Sequence, residues 1–73
     1  MYLHEAIEQV LKANGHPMTS REIANAINAK KLYARGDGQQ IPASQISARV
    51  NNHPDLYVKI DGKIILSRWS LNN

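Results

Sequence analysis

Cysteine and phenylalanine are both absent from these 73 residues. Without cysteine there are no disulfides, no thiolate metal ligands and no thiol nucleophile. Aromatics are scarce, with one Trp and three Tyr, so the core has to be built from Leu, Ile and Val. No apolar run approaches the roughly 18 residues that a membrane-spanning helix needs. The N-terminus shows no basic region leading into a long apolar stretch, the mark of a secretory signal. Length is short as well: a domain of this size buries only about 60% of its unfolded surface, which leaves little for a deep catalytic cleft beside a core. Hydrophobic residues still make up 42% of the chain, too many for a disordered tail. The expectation is one small, soluble, cytoplasmic binding domain over residues 1–73, taken from a longer chain.

The charge is unevenly spread. Nine Lys and Arg against six Asp and Glu give a net +3. Residues 1–18 carry two acids and one base, a net −1, whereas residues 19–73 carry eight bases and four acids, a net +4. The total says little about a polyanionic partner; its position after the first segment says more.

Periodicity supplies the elements. Leu3, Ala6, Ile7, Val10 and Leu11 follow the spacing of one apolar helical face. Gly15 suits the left-handed conformation that closes a helix, and Pro17 stops it from resuming. A short extended piece at 16–18 is the candidate strand between helices one and two. Thr19 with Glu22 forms a capping box, and Met18 can staple onto Ile23. Ile23, Ala26 and Ile27 give the second buried stripe. Residues 32–40, with two glycines around Asp37, read as a turn-rich loop with Leu32 and Tyr33 tucked under it. The third helix should start near Pro42, a residue suited to the first helical position; Ile41 is a weak cap and Ser44 an alternative start. Ala43, Ile46 and Val50 fall on one sector of it and face the core. Ser44, Gln45, Ala48, Asn51 and Asn52 fall opposite, with Arg49 on a flank. Asp61-Gly62 between the apolar runs 56–60 and 63–67 is a strong hairpin signal. A two-residue turn sets Ile60 opposite Lys63 and Val58 opposite Ile65. Trp69 caps the core.

Three helices followed by a hairpin, with a short strand after the first helix, is the order of a winged helix-turn-helix of the α+β class. A helix with a free polar face fits the major groove, about 12 Å wide, while cations on flanking elements hold phosphates. A merely solvated third helix would show the same short polar side chains.

The residues also carry a family resemblance. Leu3 to Leu11, then Gly15-His16-Pro17-Met18-Thr19-Ser20-Arg21-Glu22-Ile23-Ala24, resemble the opening of HARE-type winged-helix domains. Lys31-Leu32-Tyr33, Ile41 to Val50 and Lys59 to Trp69 are similar to that family's later segments. The resemblance spans about residues 2–69. It implies double-stranded DNA as the partner, sensing of modified bases, and an attached effector such as a restriction nuclease. It also implies a bacterial, nucleoid-associated, restriction-modification setting. Two features depart from a simple repressor: the loop before the third helix is longer than the usual 3–4 residue turn, and the wing is short. The long loop leaves room for Arg35 to meet a phosphate.

The candidate DNA-binding residues are therefore Ser44, Gln45, Ser47, Ala48, Arg49 and Asn52 on the third helix and Lys59 and Lys63 near the wing tip. Ser20 and Arg21 at the start of the second helix, where backbone N–H groups can hold a phosphate, and Arg35 complete the set. Each has a plainer reading as a solvated helix residue or a solubilising strand-edge charge. A protein-interaction module of a transcription or polymerase-associated protein is the alternative function. It would need an exposed apolar patch around Tyr2, Tyr33 or Tyr57 with Ile64.

Catalysis has little support. Pro54-Asp55 followed by Asp61-Gly62-Lys63 matches the letters of a metal-dependent nuclease pattern. That chemistry needs carboxylates on the central strands of a larger sheet, and here Asp61 falls in the hairpin turn. His4, His16 and His53 lack metal-ligand spacing. Gly36-Asp37-Gly38 lacks the Lys-Ser/Thr that completes a phosphate loop. No catalytic residue, metal, cofactor, small-molecule substrate or membrane partner is expected.

Overall fold

The computed structural model describes residues 2–70; residue 1 and residues 71–73, the ends of the expected domain, lie outside the described residues. The elements are α1 (Leu3–Asn14), α2 (Ser20–Lys30), α3 (Ala43–Asn51), β1 (Tyr57–Ile60), β2 (Lys63–Leu66) and a single-turn α4 (Ser67–Ser70). The three-helix, hairpin order is that of a winged helix-turn-helix.

Each helix buries the stripe its periodicity marks. On α1 the buried residues are Leu3, Ala6, Ile7, Val10 and Leu11. Gly15 closes the helix at φ 72, its N–H reaching the Leu11 carbonyl at 2.8 Å. On α2 the capping box is formed: Glu22 N–H donates to the Thr19 hydroxyl at 3.1 Å, and Thr19 N–H donates to the Glu22 carboxylate at 2.8 Å. Met18 and Ile23, the expected staple, are both buried in the core. On α3, Ile46 and Val50 are buried, and Ala43 is half-buried at the rim of the same face. Among the described residues the buried set holds no polar or charged residue. Each buried Ile, Leu or Val contributes about 1.5–3 kcal/mol relative to exposure.

The hairpin takes the expected register, Ile60 opposite Lys63 and Val58 opposite Ile65. Asp61 and Gly62 sit at φ 52 and 77, the left-handed pair that a type I′ turn requires. Tyr57 and Ile64 point inward and are buried, and the Tyr57 hydroxyl donates to the His4 carbonyl in α1. Trp69 is half-buried and packs against the core.

Three local expectations change. The piece at 16–18 is not a strand but one bridge residue: Met18 and Ile64 exchange backbone hydrogen bonds of 3.1 and 2.6 Å. Pro17 has no N–H to donate, and Thr19 turns away to cap α2, so pairing stops after one residue. Pro42 is the N-cap of α3 rather than its first helical residue, with ψ at 157. Ile41 belongs to the core, 3% exposed. Ser67, expected to end the second strand, instead opens α4; its N–H donates to the Leu56 carbonyl at 2.9 Å and its hydroxyl to the Asp55 carbonyl at 2.8 Å.

Candidate nucleic-acid interface

With Ile46 and Val50 held in the core, the opposite side of α3 faces outward. Ser44 and Ala48 are exposed, as are Asn51 and the C-cap Asn52; Gln45, Ser47 and Arg49 are half-buried along the flanks. The exposed strip is thus short, polar and free of carboxylates.

The start of α3 differs from the starts of the other long helices. At α1 the Glu5 carboxylate accepts the Tyr2 N–H at 2.8 Å, and at α2 Glu22 does the same for Thr19. At α3 no side chain caps the N-terminus and no acidic residue lies in the first turn. The first N–H groups and the positive end of the helix dipole are left open there.

Cations surround this surface without internal partners. Among the described residues the ion pairs are Glu8 with Lys12 (3.9 Å) and with Arg68 (3.2 Å), and Asp37 with Arg35 (2.9 Å). Arg21, Lys30, Lys31, Arg49, Lys59 and Lys63 take part in none of them. Lys59 is exposed on β1, the strand that packs on α3. Lys63 is exposed on β2 and lies near the start of α2. There the hydrogen bonds from Thr19 hold the Glu22 carboxyl below its ordinary range, and the charges of Lys63 and His16 add to the effect. The two wing lysines therefore flank different helices.

Three sequence candidates are engaged inside the protein. The hydroxyls of Ser20 and Ser47 hydrogen-bond each other at 2.7 Å across the α2–α3 crossing. They fix the angle at which α3 is presented, and each oxygen keeps spare acceptor capacity. The Arg35 guanidinium donates to Asp37 at 2.9 Å and reaches the Gln40 carbonyl at 3.4 Å, so it closes its own loop. Arg21 is exposed on the first turn of α2.

Sequence reasoning missed two constellations. Asn28 binds Ile41 in both directions, donating to its carbonyl at 3.0 Å and accepting its N–H at 2.9 Å. This clasp ties the end of the loop to α2 and positions the first turn of α3. His4 and His53 also come together, with ring centroids 4.7 Å apart, and Tyr2 stacks on His4 at 5.6 Å. An asparagine within two turns of a helix end was a weak signal for the first; nothing in the spacing pointed to the second.

The features that would favour other functions fall elsewhere. Asp55 and Asp61 lie at opposite ends of β1, too far apart to share a metal. Among the described residues no group of three potential ligands is assembled. No helix among them is long and apolar enough to cross a membrane. The apolar patch required for a protein-interaction surface does not form, because Tyr57 and Ile64 are core residues at 3% and 0% exposure. The exposed large apolar residues are Tyr2 and Ile60.

The family model for HARE-HTH, the helix-turn-helix domain of ASXL and restriction endonuclease proteins, matches residues 1–69. No curated protein and no solved structure matches the chain.

Proposed function

We propose, from the premise that this chain belongs to the HARE-HTH family, how its DNA-binding helix-turn-helix meets a duplex. The family's fold is that of a DNA-binding domain, not a catalytic one. In the proposed arrangement the outward strip of α3 enters the major groove, with Ser44 and Gln45 leading, Ala48 and Arg49 following and Asn52 at the trailing end. Lys59, Lys63 and Arg21 meet phosphates on either side, Ser20 and Ser47 hold α3 at its angle, and Arg35 adds a phosphate contact at the loop. The observation that carries this reading is the open start of α3, uncapped and without carboxylates, beside cations that have no internal partner. Backbone N–H groups at such an end bind phosphate readily.

The same reading extends to recognition and context. Gln, Asn and Arg side chains carry the donors and acceptors that distinguish base edges, and a small residue such as Ala48 leaves room for a substituent in the groove. Sensing of modified bases by this strip, and delivery of an attached effector such as a restriction nuclease, follow as proposals from the family's name and from that geometry. A DNA-bound, nucleoid-associated location in a bacterial cell belongs to the same proposal.

The test is duplex binding at two salt concentrations, with unmodified and modified bases compared. Affinity should fall with a log–log slope of roughly −0.9 for each phosphate contact. Gln45→Ala should weaken discrimination between duplexes, whereas Lys63→Ala should weaken all of them alike. Affinity unaffected by salt would contradict the reading.

A further inference from the structure

The loop between α2 and α3 is more ordered by its own contacts than a plain connector. The Asn28 clasp fixes its far end at Ile41. The Arg35–Asp37 pair fixes its middle, with the second Asp37 oxygen accepting the Gln39 N–H at 3.0 Å. Between these two staples lies a cleft of about 290 Å³, lined chiefly by Lys31, Tyr33, Arg35, Gln39 and Gln40.

The lining has a definite chemistry. Tyr33 is half-buried and braced against the core, so it offers a fixed aromatic surface. Gln39 and Gln40 are exposed, and each amide supplies both donors and an acceptor. Lys31, held at φ 53 where α2 ends, brings a cation with no internal partner, while the charge of Arg35 is answered by Asp37. No carboxylate and no histidine lines the cleft, which argues against a cation or metal as occupant. The volume sits at the lower edge of the range for small-ligand sites, about 300 Å³ and upward. A flat ring, an edge with mixed donors and acceptors, and one negative charge are what this set complements.

We propose that the cleft receives a single nucleotide, its base over Tyr33, its edge read by Gln39 and Gln40, and its phosphate at Lys31. The assignment rests on the DNA-binding reading, because the cleft directly precedes α3 and would lie beside a duplex docked there. Two sources share this chemistry: a base swung out of the duplex, and a free nucleotide. Extruding a paired base costs a few kcal/mol, and an already unpaired base costs least.

The experiment compares a fully paired duplex with the same duplex carrying one unpaired bulged nucleotide, and adds a titration with a free deoxynucleoside monophosphate followed by amide NMR shifts. The bulged duplex should bind about tenfold more tightly, the scale of one base–aromatic stacking contact. Tyr33→Leu, which keeps an apolar side chain against the core, should remove that preference and leave affinity for the paired duplex unchanged. Gln39→Ala with Gln40→Ala, at two exposed positions that do not risk the fold, should do the same. Shifts at residues 31–40 with the free nucleotide, without a preference for the bulge, would support the cleft and identify the free source. Equal affinity for both duplexes with no shifts from the nucleotide overturns the cleft and leaves the DNA reading standing. A preference that survives both sets of substitutions overturns it as well, since the bulge is then recognised elsewhere. Failure to bind either duplex or the nucleotide overturns both proposals.

Discussion

Around α1 and α4 the charges answer one another. Glu5 takes up the Tyr2 N–H at the start of α1, and Glu8 holds both Lys12 and Arg68. Around α3 and the hairpin they do not. The helix starts without a cap or an acid, Arg49 lies on its flank with no ion pair, and Lys59 extends from the adjoining strand in the same state. Both regions contribute equally buried apolar stripes to one core, so the difference is not about holding the fold together. Charge left unanswered inside the molecule is available to something outside it, and the net +3 takes its meaning from which region the unanswered charge occupies.

Substitutions should separate the two regions, one set changing binding alone and the other stability alone. The largest effect is expected from Arg49→Ala, Lys59→Ala and Lys63→Ala combined. Duplex affinity should fall, and the salt slope should shrink by about 0.9 for each phosphate contact removed, while the thermal unfolding midpoint stays near that of the parent. Binding titrations at several salt concentrations, beside a calorimetric melt, check both halves.

Next in size is the capping box of α2. Thr19→Ala should cost about 1 kcal/mol, within the usual 0.5–2 for a lost N-cap, read from urea unfolding. The partner carboxylate adds a pH signature. The Glu22 carboxyl titrates below its ordinary 4.5 in the folded chain, so its stabilisation is present above that value and is lost as pH falls through the lowered one. Glu22→Gln should remove this acid-side loss, measured as the pH dependence of the unfolding midpoint.

Tyr57→Phe tests the link between the hairpin and α1. Losing the hydrogen bond to the His4 carbonyl should cost about 0.5–1.5 kcal/mol. Burial, with the charge of Glu8 adding to it, pushes the Tyr57 hydroxyl above its ordinary 10.0. Its neutral form is therefore favoured by folding: the stabilisation is full below pH 10 and declines as pH rises beyond it. The Phe variant should lack that alkaline component when its melts are set beside the parent's.

The smallest effect is expected where the charges are paired. Lys12→Ala and Arg68→Ala remove exposed ion pairs, each worth about 0–1 kcal/mol, and should leave duplex affinity unchanged. A loss of affinity as large as that of the Arg49, Lys59 and Lys63 set would erase the distinction between the regions.

What could be read from the chain follows how locally each feature is encoded. Asp61-Gly62 dictates its turn through backbone conformation alone, and the hairpin register follows from it. Thr19 and Glu22 cap α2 through neighbours three residues apart. The buried stripes of α1, α2 and α3 repeat at helical spacing and needed no knowledge of the rest of the fold. The remaining features depend on how distant elements cross. Ser20 meets Ser47 only because α2 and α3 cross there, and both read in sequence as independent outward contacts. Asn28 and Ile41 are joined across a loop whose path composition does not specify. Ile41 looked like a poor helix cap because its role is in the core. Met18 pairs with Ile64 for one residue only, since Pro17 and the Thr19 cap limit the strand from both sides. For the candidate interface, the outward strip of α3 was legible, whereas the pairing of some cations and the freedom of others appeared only with the fold.

The central claim is that α3 and the hairpin, not α1 and α4, form the surface that meets DNA. Its most direct test is to titrate a duplex into the isotopically labelled protein at low salt and map the backbone amide shifts. The account predicts perturbations concentrated at residues 42–52, around Lys59 and Lys63 and at the start of α2, with α1 unaffected along Glu5–Lys12. Shifts concentrated on α1 and α4, with α3 silent, would contradict it.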